Sequence, residues 1–125
     1  MKPETIKIDE VEYVRKDSLS EPAISVNGMP YVIIRAAVSG VHAGYLMSDE
    51  VEEGLRTVEL ARSRRIYYWD GAATLSQMAE EGVSKPENCK FPCEVKEISI
   101  SGVCEVIKCS ARAQKSIQGV AVWKK

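Results

Sequence analysis

One short segment combines the two residue types that bind anionic nucleotides. It reads Arg62-Ser63-Arg64-Arg65-Ile66-Tyr67-Tyr68-Trp69, with three arginines and three aromatic residues. Guanidinium groups fork onto two phosphate oxygens, and aromatic rings stack on a base or hold a cation. On a strand, Arg65, Tyr67 and Trp69 share one face and Arg64, Ile66 and Tyr68 the other, so one face would pack on the core and leave an arginine and aromatics on the opposite one. A sheet surface that arginines merely keep solvated would give the same pattern, so both interpretations stay open.

Further cations lie near aromatic residues elsewhere in the chain. Lys90 precedes Phe91, the only phenylalanine, in a proline-containing loop. Arg112 and Lys115 are three residues apart on a predicted helix, so they share one of its faces. The predicted ligand-binding residues are Arg35, His42, Arg65, Tyr68, Trp69, Asn88, Phe91, Arg112 and Lys115.

No combination of residues predicts catalysis. His42 is the only histidine and lies between Gly40 and Gly44, and a lone histidine there is more often packed or exposed than a general base. The sequence has no nucleophile elbow, Walker A loop, dinucleotide fingerprint or zinc-protease motif. We therefore expect no catalytic residue, no cofactor and no enzymatic activity.

Four cysteines raise the question of a metal site. Their spacing is Cys-x3-Cys at Cys89 and Cys93, then Cys-x4-Cys at Cys104 and Cys109. Structural zinc sites usually use a tighter Cys-x2-Cys knuckle. Cys104 and Cys109 also differ in parity, so one continuous strand would point them to opposite faces. We expect small buried thiols and no metal, with zinc as the minor alternative.

Size and charge limit the class of protein. A chain of 125 residues, 45% hydrophobic and 28% charged, matches one globular domain. Its net charge of -1 argues against broad attraction to nucleic acid or anionic membranes. No signal peptide and no run of roughly 20 apolar residues occurs. The sequence thus predicts a soluble cytoplasmic protein with a single domain over 1–125.

The first half of the chain predicts paired strands. Alternating residues indicate a hairpin over 5–15, and Asn27-Gly28 is typical of a type I′ turn. The best core strand spans 31–38, with 41–47 as its partner, followed by an acidic loop at 49–53. Strands over 55–60 and 65–69 then form a second pair, with a tight link at 61–64.

The second half predicts helices and further strands. Apolar residues at helical spacing indicate a helix within 70–81, capped by Thr74 or Asp70 and ended by Gly82. Strands over 93–100 and 103–108 meet at Ser101-Gly102, and Ser110 caps a short polar helix. We expect an α+β fold: a mainly antiparallel sheet of seven or eight strands, one central helix and one short C-terminal helix.

Several runs resemble a known family. They are Tyr31-Val32-Ile33-Ile34-Arg35, Gly40-Val41-His42-Ala43-Gly44-Tyr45-Leu46, the run over 61–76 that contains Tyr68-Trp69-Asp70-Gly71-Ala72-Ala73, and Lys90-Phe91-Pro92. They are similar to small phage and prophage proteins that include the Thoeris anti-defence sponges, which sequester the cyclic ADP-ribose signals of bacterial TIR proteins. The resemblance covers residues 30–123. It implies that the protein binds its ligand without turnover and forms homo-oligomers. Some relatives also bind the cyclic oligonucleotides of CBASS defence.

The expected function is therefore that of a phage protein that sequesters a cyclic nucleotide immune signal in the cytoplasm of the infected bacterium. The signal would be a cyclic ADP-ribose isomer or a cyclic trinucleotide. The expected partners are this ligand and further copies of the chain, as a dimer or a multiple of dimers, with no membrane and no stable nucleic acid. The alternative is a phage inhibitor that covers a host protein surface.

Overall fold

The computed structural model describes residues 25–125, where five antiparallel strands form one sheet with two α-helices. The strands are β1 (Tyr31–Ala36), β2 (Gly40–Glu52), β3 (Leu55–Arg65), β4 (Glu94–Ser101) and β5 (Val103–Lys108). The helices are α1 (Leu75–Glu81) and α2 (Ala111–Gly119), and a 3-10 turn spans Pro86–Asn88. This confirms the predicted α+β class. The predicted hairpin over 5–15 lies outside the described residues.

The sheet order is β4-β3-β2-β1-β5, and the interior strand β1, between β2 and β5, contributes to a core on each face. Tyr31 and Ile33 point to the side covered by the helices, where Met78 of α1 and Ile117 of α2 are fully buried. Fully burying side chains of this size stabilises the fold by roughly 1.5–3 kcal/mol each. Alternate residues point to the opposite side and form a second cluster: Val32, Ile34, Ala36, Val58, Leu60, Ile100 and Val103.

Gly102 shows why this second cluster is buried. It alone separates β4 from β5, although these strands lie at opposite edges of the sheet. Its carbonyl accepts from the Ala37 amide at 3.0 Å, and its own amide donates to the Arg56 carbonyl at 3.0 Å. The sheet must therefore curl until its two edges approach each other at Gly102. We call the enclosed face the interior side and the opposite face the helix side.

Two local predictions are confirmed in detail. Asn27 and Gly28 have φ angles of 53° and 78°, and Val26 and Met29 bond to each other across them, as a two-residue turn with two positive φ angles requires. At the start of α1, the Thr74 side chain accepts from the Gln77 amide at 3.1 Å. Thr74, rather than Asp70, is thus the N-cap, and Gly82 ends the helix with a φ of 78°.

The acidic run and the predicted tight link are different from expectation. Residues 49–52 continue β2 and are not a loop, because they pair with residues 55–58 of β3. Asp49 also forms an ion pair with Arg56 at 2.6 Å. Residues 61–64 lie within β3 and do not form a turn. Arg62 has a φ of 51° where the β2–β3 register shifts, so the chain makes a bulge and continues.

The last two strands and the second helix contact parts of the chain that are distant in sequence. The adjacent strands over 94–101 and 103–108 pair with β3 and β1, and the one-residue link at Gly102 leads from one edge of the sheet to the other. The predicted helix over 110–118 is short and polar, which favoured little burial within one chain and a role in a subunit contact. It buries Ala113 and Ile117 completely, so low burial is no argument for a subunit contact there.

Candidate ligand-binding site

The larger described cavity lies on the helix side and has a volume of about 390 Å³. Arg35 projects there from β1, and its cross-strand partners are Val41 of β2 and Glu105 of β5. The segment that leads into α1 supplies the facing wall. The lining residues are Arg35, Val41, Trp69, Ala73, Thr74, Leu75, Ser76 and Glu105.

Polar groups in this cavity remain available to a ligand. Arg35 is exposed, and the ion pairs of the described residues use Arg56 and Arg62 instead. The Trp69 indole N–H donates to the Ala72 carbonyl at 3.1 Å, which fixes the ring at the cavity wall. Thr74 uses its oxygen as an acceptor in the cap, so its O–H can still donate. The cavity thus combines a guanidinium, a carboxylate, hydroxyls and an aromatic ring.

A smaller cavity of about 140 Å³ lies at one end of the interior side. His42 and Arg65 are cross-strand partners there, and Ser63 is the cross-strand partner of Val95. The Nε2 of His42 and the Nη1 of Arg65 donate to the same acceptor, the Ser39 carbonyl, at 3.1 and 2.8 Å. The lining residues are His42, Ser63, Arg65, Pro92, Cys93, Val95 and Ile98.

His42 is electrostatically disfavoured as a cation. Burial, and then the nearby charge of Arg65, lower its pKa below the usual value of 6.5. The imidazole is therefore neutral at physiological pH. Because a carbonyl oxygen only accepts, Nε2 carries the ring proton, and Nδ1 is left as an acceptor.

Arg64 has a different role from its neighbour Arg65. It is buried on the helix side, where its guanidinium donates to the carbonyls of Pro92, Ile117 and Phe91 at 2.9, 2.9 and 3.0 Å. Its charged group also lies 5.5 Å from the centre of the Phe91 ring. Arg64 thus ties the loop before β4 to the end of α2.

This arrangement removes Phe91 from the surface. The ring was predicted to stack on a ligand base, but it is completely buried in the core beneath Arg64. Its position follows from the three-way contact of Arg64, which the sequence pattern alone does not reveal. In this structure a base would have to stack on a tyrosine or tryptophan instead.

Tyr68 belongs to a group that we call the aromatic surface, formed by exposed Tyr67, Tyr68, Lys90 and Val122 and by half-buried Trp123. Tyr67 and Trp123 stack with ring centres 5.4 Å apart and nearly parallel planes. The Lys90 ammonium lies 5.7 Å from the Tyr68 ring centre and 5.6 Å from that of Trp123. Tyr67 and Tyr68 are more than half exposed, at 63% and 51%.

The remaining predicted residues lie apart from both cavities. Asn88 is exposed and donates to the Asp70 carboxylate at 3.0 Å. Arg112 and Lys115 are both exposed on α2, where their spacing puts them on the same face, as predicted. The nine predicted residues thus lie in different places. Arg35 and Trp69 share one cavity, and His42 and Arg65 share another on the opposite face of the sheet. No single small ligand within one chain contacts all nine residues.

Sequence reasoning missed several cavity residues. Glu105 lies opposite Arg35 only through the register of β5 on β1, which sequence spacing does not give. Ser63 lies within the arginine segment, but it was not predicted to contact a ligand. Thr74 was identified as a cap, and its place in the larger cavity follows from that cap position.

The cysteines are only partly as expected. Cys89 and Cys109 are buried, and burial raises the pKa of Cys109 to about 12. Cys93 and Cys104, in contrast, are exposed. Within residues 25–125, no three His, Cys, Asp or Glu side chains are grouped closely enough to hold a metal ion.

The helices of this part of the chain are also too short and too polar to span a membrane.

Comparison with known proteins places the chain in a family without assigning an activity. A family described as a domain of unknown function, DUF6948, matches residues 29–117. No curated protein and no solved structure matches the chain. Any function must therefore be argued from the residues themselves.

Proposed function

We propose that this chain, which belongs to the DUF6948 domain family, binds a cyclic nucleotide signal and sequesters it without cleaving it. The observation that supports this most directly is the larger cavity, where Arg35 and Trp69 lie together. In the proposed role, the protein acts against bacterial defence in the cytoplasm of an infected cell. Its ligand is a cyclic ADP-ribose isomer or a cyclic trinucleotide.

The cavity has the size and the chemistry for such a ligand. Its volume of about 390 Å³ falls within the roughly 300–1,000 Å³ typical of small-molecule sites. Arg35 would fork onto phosphate oxygens, and the Trp69 ring would stack on a base. Glu105 would accept hydrogen bonds from ribose hydroxyls or an adenine amino group, as acidic residues do in other nucleotide sites.

Sequestration needs affinity and no chemical step. The larger cavity contains a carboxylate and two hydroxyls, while the histidine lies on the other side of the sheet. Thr74 is engaged in the α1 cap, and among the described residues that line the cavity the one possible base is the Glu105 carboxylate, which this proposal assigns to hydrogen bonds with the ligand. These features favour binding over turnover.

We further propose that the protein acts as a homo-oligomer, a dimer or a multiple of dimers. Arg112 and Lys115 lie exposed on one face of α2, outside the cavities of the single chain. A second copy would bring such cations to a site that one chain leaves open to solvent. Light scattering at micromolar concentration should give a multiple of the monomer mass, and a monomer mass would contradict this.

Calorimetry with cyclic ADP-ribose isomers and cyclic trinucleotides tests the binding proposal. At least one should bind with a Kd below about 10 µM, roughly -7 kcal/mol. Arg35→Ala should weaken binding at least tenfold, or about 1.4 kcal/mol, whereas Lys96→Ala, which removes an exposed cation on β4, should leave it unchanged. Mass spectrometry of the heat-released ligand should find it intact. If neither set binds, the proposal is wrong.

The aromatic surface supports a second candidate, an inhibitor that covers a host protein. Exposed tyrosine and tryptophan are enriched where proteins bind one another. Tyr67, Tyr68 and Trp123 form such a group around Lys90. Loss of anti-defence activity in Tyr67→Ser and Tyr68→Ser variants that still bind the nucleotide would favour this candidate.

A further inference from the structure

The smaller cavity contains a polar atom that has no partner in the protein. The Ser63 hydroxyl is buried, with the residue only 1% exposed, and within residues 25–125 it forms no hydrogen bond. Leaving a buried hydroxyl unpaired is unfavourable, so such groups usually have a protein, water or ligand partner. Ser63 lines the same cavity as His42 and Arg65.

The charges around this cavity favour an anion. Arg65 gives one of its five N–H donors to the Ser39 carbonyl, which leaves the others for a ligand. The described residues that line the cavity include one guanidinium and no carboxylate. This distinguishes it from the larger cavity, where Glu105 lies opposite Arg35.

The size of the cavity limits the ligand. About 140 Å³ is well below the roughly 300 Å³ at which pockets for drug-sized molecules begin. Pro92, Val95 and Ile98 add apolar side chains to the lining, which lowers the local dielectric and strengthens charge-assisted bonds. A single tetrahedral oxyanion fits these limits, whereas a nucleoside attached to it would have to remain outside.

We propose that the cavity formed by His42, Ser63 and Arg65 is a binding site for one hydrogen phosphate group, separate from the nucleotide cavity. Arg65 donates to the phosphate oxygens, and the Ser63 hydroxyl donates a further hydrogen bond. The neutral imidazole of His42 accepts the phosphate O–H at Nδ1, because Nε2–H is engaged with the Ser39 carbonyl. The site therefore selects hydrogen phosphate over sulfate, which carries no proton at neutral pH.

Cys93 gives a direct readout of occupancy. Its thiol is exposed and lines this cavity, while Cys104, which is also exposed, lies on β5 and is not among the residues that line the cavity. Alkylation of the full-length protein by iodoacetamide, followed by peptide mass spectrometry, compares the two thiols in one sample. Saturating inorganic phosphate should slow the reaction of Cys93 at least threefold and leave that of Cys104 unchanged. Equal rates for Cys93 with and without phosphate would overturn the proposal.

Two variants test the roles of the residues. Ser63→Ala should weaken phosphate binding in calorimetry about tenfold, the loss expected for one hydrogen bond to a charged group. Its melting temperature without phosphate should match or exceed that of the wild type, because the variant no longer buries an unpaired hydroxyl. Arg65→Gln should weaken binding further, whereas Arg35→Gln, the matched change in the other cavity, should not affect it. Wild-type phosphate affinity in both Ser63→Ala and Arg65→Gln would contradict the site.

Different anions identify the source of the phosphate. Binding of inorganic phosphate but not of adenosine monophosphate assigns the free ion, whereas binding of both assigns a terminal phosphate that can also be part of a larger molecule. Either result supports the site, and failure of both overturns it. Sulfate should bind at least several-fold more weakly, and equal affinity for sulfate would overturn the role of His42. Because Arg35 and Arg65 line different cavities, failure here leaves the proposed nucleotide binding intact.

Discussion

The two cavities lie on opposite faces of the same sheet and differ in the charges of the residues that line them. The larger one places Arg35 opposite Glu105, so a ligand meets a cation and an anion together. The smaller one places Arg65 beside neutral His42 and the unpaired Ser63 hydroxyl. The first arrangement suits a ligand with both phosphates and hydrogen-bond donors, and the second suits a lone anion. Strand pairing therefore sets the chemistry of each face independently.

The largest expected effect separates a structural arginine from a ligand-binding one. Arg64→Ala should lower the free energy of unfolding by about 2–4 kcal/mol, because three carbonyls lose a charged donor and a buried volume is left empty. The loss is not larger because two of these carbonyls have a second partner, the amides of Trp123 and Val120. Urea denaturation measures it.

The neighbouring residue is the control for this comparison. Arg65→Ala removes an exposed side chain and one bond to the Ser39 carbonyl, so it should cost under about 1 kcal/mol. If both variants lose the same stability, Arg65 also serves mainly to hold the fold, and the contrast between the two arginines fails.

The next effect decides which aromatic residue stacks on a base. Trp69→Leu should weaken cyclic nucleotide binding by about 1–3 kcal/mol, because leucine keeps apolar burial but has no flat face. Tyr68→Leu, an adjacent aromatic change outside the larger cavity, should leave affinity unchanged. The opposite ranking in calorimetry would place the ligand on the aromatic surface.

A smaller effect tests the geometry of the cation in the larger cavity. Arg35→Lys keeps the charge but replaces a planar fork by a single ammonium group, so binding of a phosphate should weaken by roughly 1 kcal/mol. Arg112→Lys, on the exposed face of α2, is the matched change. A loss confined to Arg112→Lys would show that a subunit contact, rather than this cavity, holds the phosphate.

The smallest effect is the pH dependence contributed by the smaller cavity. The folded-state pKa of His42 lies below 6.5, so between that lowered value and pH 6.5 the unfolded chain binds more protons than the folded one. Stability should therefore fall as the pH drops through this window, with a slope of at most about 1.4 kcal/mol per pH unit. His42 is the only histidine, so His42→Asn should remove the slope. The charged or titratable groups that line the cavity with it are Arg65 and Cys93.

Local structure followed from the sequence wherever neighbouring residues decide it. Asn27-Gly28 makes its turn because both residues tolerate positive φ, and Thr74 caps α1 because its oxygen reaches the Gln77 amide three residues on. Strand parity also placed Arg64 and Arg65 on opposite faces. The predicted link at 61–64 failed because a bulge at Arg62 lets β3 continue through a segment that locally resembles a turn.

Only the tertiary structure decided which face of the sheet becomes a site. The helices pack on one side and bury Arg64 and Phe91 there, so Phe91, chosen as a ligand contact, is a core residue instead. The curl at Gly102 encloses the other side and turns His42, Ser63 and Arg65 into the lining of a cavity. Glu105 lies opposite Arg35 through pairing between β5 and β1, although the two residues are 70 positions apart along the chain. Such contacts depend on long-range pairing, and no local propensity encodes them.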